Sequence, residues 1–198
     1  MPFMDILLLF IGAYLLGSIS FSYIITKELN KGDIRKLGSG NAGATNTLRV
    51  IGVGPAIFVL LLDVLKGIVP VWVALSLHFP LTTAIIAGGM AIIGHNWPVY
   101  YGFKGGKGVA TTIGVFVVAS FFPSLIAGIL VILIIALTRY VSLGSIVFMI
   151  LTPVLMFVFR SVPVEAALIA MLIGLLSIWR HRTNISRLLN GNERKLGQ

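Results

Sequence analysis

Cysteine is absent from the 198 residues, which removes a thiolate nucleophile, a disulfide framework and a cysteine-bound metal. Charge is scarce too: 11% of the residues are charged, with six acids against 15 lysines and arginines. The three histidines, His78, His95 and His181, are followed five positions on by Thr83, Tyr100 and Ser186, so no His-x4-Asp dyad exists. A G-x-S-x-G serine elbow is also missing. What the chain has in excess is apolar surface. Hydrophobic residues make up 58% of it, and the mean hydropathy is +1.04. No soluble domain of this length hides so much, so the sequence describes an integral membrane protein. Its length fits one compact bundle over residues 1–198 with no separate soluble domain. The net charge of +9 is therefore read as topology and not as affinity for nucleic acid.

Apolar runs of roughly spanning length lie at 3–26, 51–77, 80–101, 140–159 and 163–179. The first carries only Asp5 and has no basic leader, which predicts a transmembrane helix and not a signal peptide. The run at 109–138, with Pro123 near its middle, reads either as one long helix or as a hairpin of two short ones. Charge decides between them. With two helices, Lys27, Lys31, Arg35, Lys36, Arg49, Lys104, Lys107, Arg139, Arg180, Arg182, Arg187, Arg194 and Lys195 all fall inside. Arg160 alone is then outside, and Lys66 lies within a helix. One helix would split the same cations almost evenly across the membrane, against the positive-inside rule. The expectation is an all-α polytopic protein with seven transmembrane helices. Its N-terminus is outside, its C-terminus is cytoplasmic, and its polar motifs share the cytoplasmic interface.

Three polar clusters stand out. Gly38 to Arg49 reads GSGNAGATNTLR, in which Gly38, Gly40 and Gly43 bare the backbone. Ser39, Asn41, Thr45 and Asn46 add short hydrogen-bonding side chains there, and Arg49 adds a fixed cation. Exposed N–H groups with hydroxyl, amide and guanidinium donors suit a phosphate. The glycines match G-x-G-x-x-G, but no strand precedes them, so a dinucleotide site is not indicated. In the second cluster, Lys104 and Lys107 stand among Gly105, Gly106 and Gly108 at the start of a helix, a second anion loop. Trp97, Tyr100 and Tyr101 before it read as an interfacial aromatic belt, and His95 as a hydrogen-bonded structural residue. The third cluster pairs Arg139, Ser142 and Ser145 at one corner with Arg180 to Arg187. There His181 and Asn184 share a face if the last helix continues. Within the second helix, Asp63 and Lys66 are three residues apart and read as a mutual ion pair. No Asp-Gly pair occurs, so the CDP-alcohol phosphotransferase motif is absent.

Assembled, these residues resemble the bacterial acyl-phosphate:glycerol-3-phosphate acyltransferases, the PlsY proteins. The resemblance rests on Ser39 to Asn46 with Arg49, on Gly94 to Thr111, on His181 to Ile185 and on Leu61 to Gly67, in order along nearly the whole chain. It implies a multi-pass enzyme of the bacterial inner membrane that acylates glycerol 3-phosphate from acyl phosphate, giving lysophosphatidate and inorganic phosphate. It also implies no cofactor, no metal and no acyl-enzyme intermediate. The partners are the two substrates, membrane lipids and the enzyme that makes the acyl phosphate.

On that resemblance, Ser39, Asn41, Thr45, Asn46 and Arg49, with Gly38, Gly40 and Gly43, hold one phosphate and help form the oxyanion site. Lys104 and Lys107 hold the second phosphate. Ser142, His181 and Asn184 orient glycerol 3-phosphate, and the base is either His181 or a substrate phosphate. The competing reading is a small transporter of a phosphorylated anion. It has only Asp63 and Lys66 deep enough to suggest a path.

Overall fold

A computed structural model describes residues 3–197, and they fall into two compact units that divide after Val115. Every regular element among them is helical. The first unit holds α1 (Phe3–Gly17), α2 (Phe21–Glu28), a 3₁₀ turn (Ile34–Lys36), α3 (Ala44–Val50), α4 (Val53–Ser76) and α5 (Leu81–Asn96). A second 3₁₀ turn (Val99–Tyr101) follows, and then α6 (Val109–Ala119), which runs across the division. The second unit holds α7 (Phe121–Thr138), α8 (Val141–Val158), α9 (Val164–Arg180) and α10 (Arg182–Leu189).

In lipid, apolar side chains gain nothing by leaving one apolar surface for another, so helices associate where small residues let backbones touch. That is how α1 meets α5. A side chain on Gly17 would lie 2.1 Å from the Ala91 carbonyl, and one on Gly94 would lie 2.2 Å from that of Tyr14. The α4 and α6 helices meet in the same way, Gly67 against Thr111 and Gly114 against Val64. In the second unit α8 packs against both α7 and α9, and a side chain on Gly174 would lie 2.4 Å from the Met149 carbonyl. The outward sides remain bare, as at Leu137 of α7, which is 85% exposed.

Each apolar run expected from the sequence is helical over most of its length, but the 3–26 run breaks between α1 and α2 and the 80–101 run leaves the helix after Asn96. Four segments are long and apolar enough to cross a bilayer: Phe3–Glu28, α4, α7 and α8. They become five if α9 and α10, bent by 60°, count as one. With 16 and 11 residues, α5 and α6 are shorter than the ~20 that usually span. The 109–138 run is indeed two helices, separated at Ser120, which has extended backbone. Pro123 instead sits in the first turn of α7, where a missing N–H costs nothing.

Two expectations need correction. The glycine-rich Gly38–Arg49 stretch is not wholly a loop, because residues 44–50 form α3, docked on α4. The last helix also does not continue through the tail. It stops at Arg180, bends at His181 and restarts as α10. The apolar run ends there, so no lipid remains to favour a straight continuation.

Candidate active site

In the first unit, Asn46 organises the glycine-rich segment from inside. Its side chain is buried, its Oδ1 accepts from the Ser39 N–H at 2.8 Å, and its Nδ2 donates to the Leu37 and Ile34 carbonyls at 3.0 and 3.2 Å. Gly38 has a φ of +58°, and a side chain there would strike the Asn46 Oδ1 at 2.3 Å. Asn46 is thus the post around which residues 34–39 are wound. Ser39 is exposed, while Asn41, Thr45 and Arg49 are half-buried, the last three near or on α3.

The second glycine segment closes on the first. Gly106 donates its N–H to the His95 carbonyl at 3.0 Å. A side chain on Gly106 would lie 2.1 Å from His95 Nε2 and 2.5 Å from the Ala42 carbonyl. The 38–49 and 104–108 segments therefore touch, and the touching point has no room for a methyl group. Lys104 is exposed and Lys107 half-buried on either side of it.

Arg35 fastens the neighbouring turn. Its Nε and Nη2 donate to Asp33 at 2.8 to 3.1 Å, its Nη1 donates to the Tyr101 carbonyl at 2.7 Å, and its guanidinium lies 5.1 Å from the Tyr23 ring centre. That hydrogen bonding holds the Asp33 carboxyl below its ordinary range. A cavity of about 430 Å³ opens here, lined by Asp33, Arg35, Lys36, Tyr101, Gly102 and Lys104. Neither Asp33 nor Arg35 was singled out from the sequence as a pair. Their spacing, two residues apart beside Lys36, reads only as part of a basic run.

The second unit carries the other expected residues. His181 and Asn184 are 2% and 6% exposed, and Ser142 is buried at the start of α8. His181 Nδ1 lies 2.7 Å from the Ser177 carbonyl. A carbonyl can only accept, so Nδ1 carries the proton and the lone pair of the neutral ring falls on Nε2. Asn184 donates to Glu193 at 2.6 Å, and Arg187 donates to the other oxygen of the same carboxylate at 2.8 Å. Ser142 weighs on that carboxylate from nearby without reaching hydrogen-bond geometry. The Arg139 guanidinium holds the tail by the Leu196 carbonyl, and Leu196 returns its N–H to the Arg139 carbonyl at 2.7 Å.

Glu193 is the residue the sequence reading missed. It is the one acid after Glu165, in an otherwise basic tail, and that isolation was the available signal. Burial pushes its carboxyl up, but the bonds from Arg187 and Asn184 outweigh this and hold it below the usual 4.5. Its contribution is therefore complete above pH 4.5 and is lost as the pH falls below that value. Glu193→Gln keeps an acceptor for Asn184 but loses the charge opposite Arg187, worth about 1 kcal/mol at this half-exposed contact. Tryptic release of the tail at neutral pH should become about fivefold faster. An unchanged rate would show that the carboxylate does not fasten the tail.

A helical membrane protein with two glycine-rich polar segments packed against each other is thus the class that the fold and clusters define. The family model for glycerol-3-phosphate acyltransferase matches residues 7–191. A glycerol-3-phosphate acyltransferase of Shouchella clausii (strain KSM-K16) is 58% identical over 191 residues, covering 93% of each chain. One from Thermoanaerobacter pseudethanolicus (strain ATCC 33223 / 39E) is 47% identical, covering 94% of this chain and 93% of its own. Among solved structures, the glycerol 3-phosphate form of PlsY, an integral membrane glycerol 3-phosphate acyltransferase, is 42% identical. It superposes with a TM-score of 0.92 over 98% of this chain and 96% of that one. The lysophosphatidic acid form of PlsY gives 0.89 at the same identity and coverage. The chain belongs to the glycerol-3-phosphate acyltransferase family.

Proposed function

We propose that this acyltransferase takes its acyl group from acyl phosphate and delivers it to the 1-hydroxyl of glycerol 3-phosphate. The products are lysophosphatidate and inorganic phosphate. The hydroxyl oxygen attacks the acyl carbon, the bond from that carbon to the phosphate oxygen breaks, and phosphate leaves with the electron pair. The hydroxyl proton passes to His181 Nε2 or to a substrate phosphate, whose second pKa is about 6. Acyl phosphate is already activated, so the protein's tasks are to position two anions and to stabilise the oxyanion.

The observation that carries this reading is the contact at Gly106, where two glycine-rich segments bearing Arg49, Lys104 and Lys107 close on each other. Two phosphates need two such cradles. In this reading Ser39, Asn41, Thr45 and Arg49, with Gly38, Gly40 and Gly43, hold one phosphate, and Asn46 holds the cradle. Lys104 and Lys107 hold the other, while Ser142, His181 and Asn184 orient glycerol 3-phosphate. In this reading residues 1–198 are one acyltransferase domain that works without metal or cofactor. The test offers labelled glycerol 3-phosphate with acyl phosphate and, separately, with acyl-CoA. Product from acyl phosphate alone is expected, and product from acyl-CoA would sink the proposed donor.

The same reading places the chain in the bacterial inner membrane with seven spans, α5 and α6 among them, the N-terminus outside and the C-terminus cytoplasmic. The location implies that the enzyme supplying acyl phosphate works on the same membrane. Ser124 is buried and bonded to the Ser120 carbonyl, so Phe122, exposed to the surroundings, is the better probe. Phe122→Cys in this cysteine-free chain should react with an impermeant thiol reagent added outside. Labelling from the cytoplasmic side alone would exclude the seven-span arrangement.

A further inference from the structure

Asp63, Lys66 and His95 form a buried polar cluster that the transfer chemistry above does not use. Their residues are 2%, 2% and 8% exposed. Lys66 Nζ lies 2.8 Å from Asp63 Oδ1, and it donates to the Ile19 carbonyl at 2.9 Å. Ile19 sits at the break between α1 and α2, so the lysine satisfies a carbonyl left over there. The Phe21 ring covers the ammonium at 5.6 Å. The ion pair expected from the sequence is present, but it is not closed on itself. His95 Nδ1 approaches the same Asp63 oxygen at 3.7 Å.

The other side of the imidazole faces the phosphate segment. His95 touches it twice: its carbonyl takes the Gly106 N–H, and its Nε2 fills the volume that a side chain on Gly106 would need. The same carbonyl lies 2.0 Å from where a side chain on Gly105 would begin. The Ala42 carbonyl bounds Gly106 as well, at 2.5 Å from the same point. Gly105 and Gly106 are thus cast against His95, between Lys104 and Lys107. A ring with a carboxylate 3.7 Å from one edge and Gly106 against the other cannot turn without vacating that mould.

We propose that Asp63 and His95 are positioning residues for acyl transfer. Asp63, kept in place by Lys66, orients the imidazole, and the imidazole fixes the path of Gly105–Gly106 and with it the stations of Lys104 and Lys107. The inference rests on the reading of those lysines as phosphate ligands. Its structural half, the moulding of the loop, is measurable without any substrate.

Two variants test it. His95→Gln removes the ring. Asp63→Asn with Lys66→Met removes both ions together, so that no lone buried charge remains to unfold the span. Hydrogen–deuterium exchange over residues 103–108, kcat, KM for glycerol 3-phosphate and thermal stability are measured on each, and on the triple variant. Both variants should speed exchange in 103–108 at least tenfold and lower kcat at least tenfold, with melting shifted by only a few degrees. The triple variant should be no worse than His95→Gln, because one route is broken twice. Unchanged exchange in folded protein, losses that multiply in the triple variant, or loss of fold in either variant would overturn the proposal. Wild-type protein inactive with acyl phosphate would refute the proposed donor instead, while the exchange data would still judge the mould.

Discussion

Gly106→Ala should lower kcat/KM for acyl transfer by about a hundredfold or more while leaving a folded protein. The added carbon would begin 2.1 Å from His95 Nε2 and 2.5 Å from the Ala42 carbonyl, where ordinary contact starts near 3.4 Å. The imidazole is buried between Asp63 and the loop, and the carbonyl belongs to the backbone of the other glycine-rich segment, so neither neighbour is a flexible tip. The two segments must separate by roughly 1 Å, a displacement that costs about 10²-fold when it falls on groups that hold reactants. The matching controls are Gly54→Ala in α4 and Gly128→Ala in α7, where nothing lies within 4 Å of the new carbon. Both should keep full activity and gain a few tenths to about 1 kcal/mol from better helix propensity. Retention of more than a tenth of the activity by Gly106→Ala would show that the segments do not need their present contact.

Asn46→Leu should cost more stability than any other single polar substitution in the glycine-rich segment. The leucine has nearly the same volume but satisfies none of the three backbone groups that Asn46 serves, the Ser39 N–H and the Leu37 and Ile34 carbonyls. Each such group left unmet in a buried place costs about 1–3 kcal/mol. Even the lower end totals about 3 kcal/mol, which for a chain of this size means a fall of roughly 6–12 °C in Tm. Activity should disappear with it, because residues 34–39 lose their shape. Asn46→Asp should be nearly as damaging, since it keeps the acceptor for Ser39 but turns a carboxylate oxygen toward two carbonyls. A Tm in detergent within 2 °C of wild type for the leucine variant would mean that the segment holds its shape without this side chain.

The sequence showed some of this and hid the rest for physical reasons. Lipid demands long apolar runs, so the helices from α4 onward were visible where they occur. The division of 109–138 was visible through charge, although Ser120 and not the neighbourhood of Pro123 marks it. The Asp63–Lys66 pair was visible because two ions in a span have few other partners. In contrast α3 was hidden: Ala44–Val50 has no apolar stripe, and its helicity depends on docking to α4 and on Asn46. The bend at His181 and the grip of Glu193 on Asn184 depend on the chain turning back nine residues later, which no local pattern announces. Most of the expected site residues carry recognisable motifs, yet Asn46 proves to face inward, and Glu193 belonged to no motif.

The shortness of α5 and α6 has a consequence for the lipid substrate. At 1.5 Å per residue, the 16 and 11 residues of these helices reach about 24 and 16 Å, against a hydrocarbon core of about 30 Å. In the seven-span arrangement, the segment that joins them cannot stand level with the lipid headgroups and lies recessed beneath them. Lys104 and Lys107 would then meet the donor where its carbonyl already resides. Each methylene drawn into water would cost about 0.8 kcal/mol, so a recessed cradle spares the enzyme the work of lifting a fatty chain out of the bilayer. Depth, as much as charge, would then select a substrate with one end in oil and the other in water.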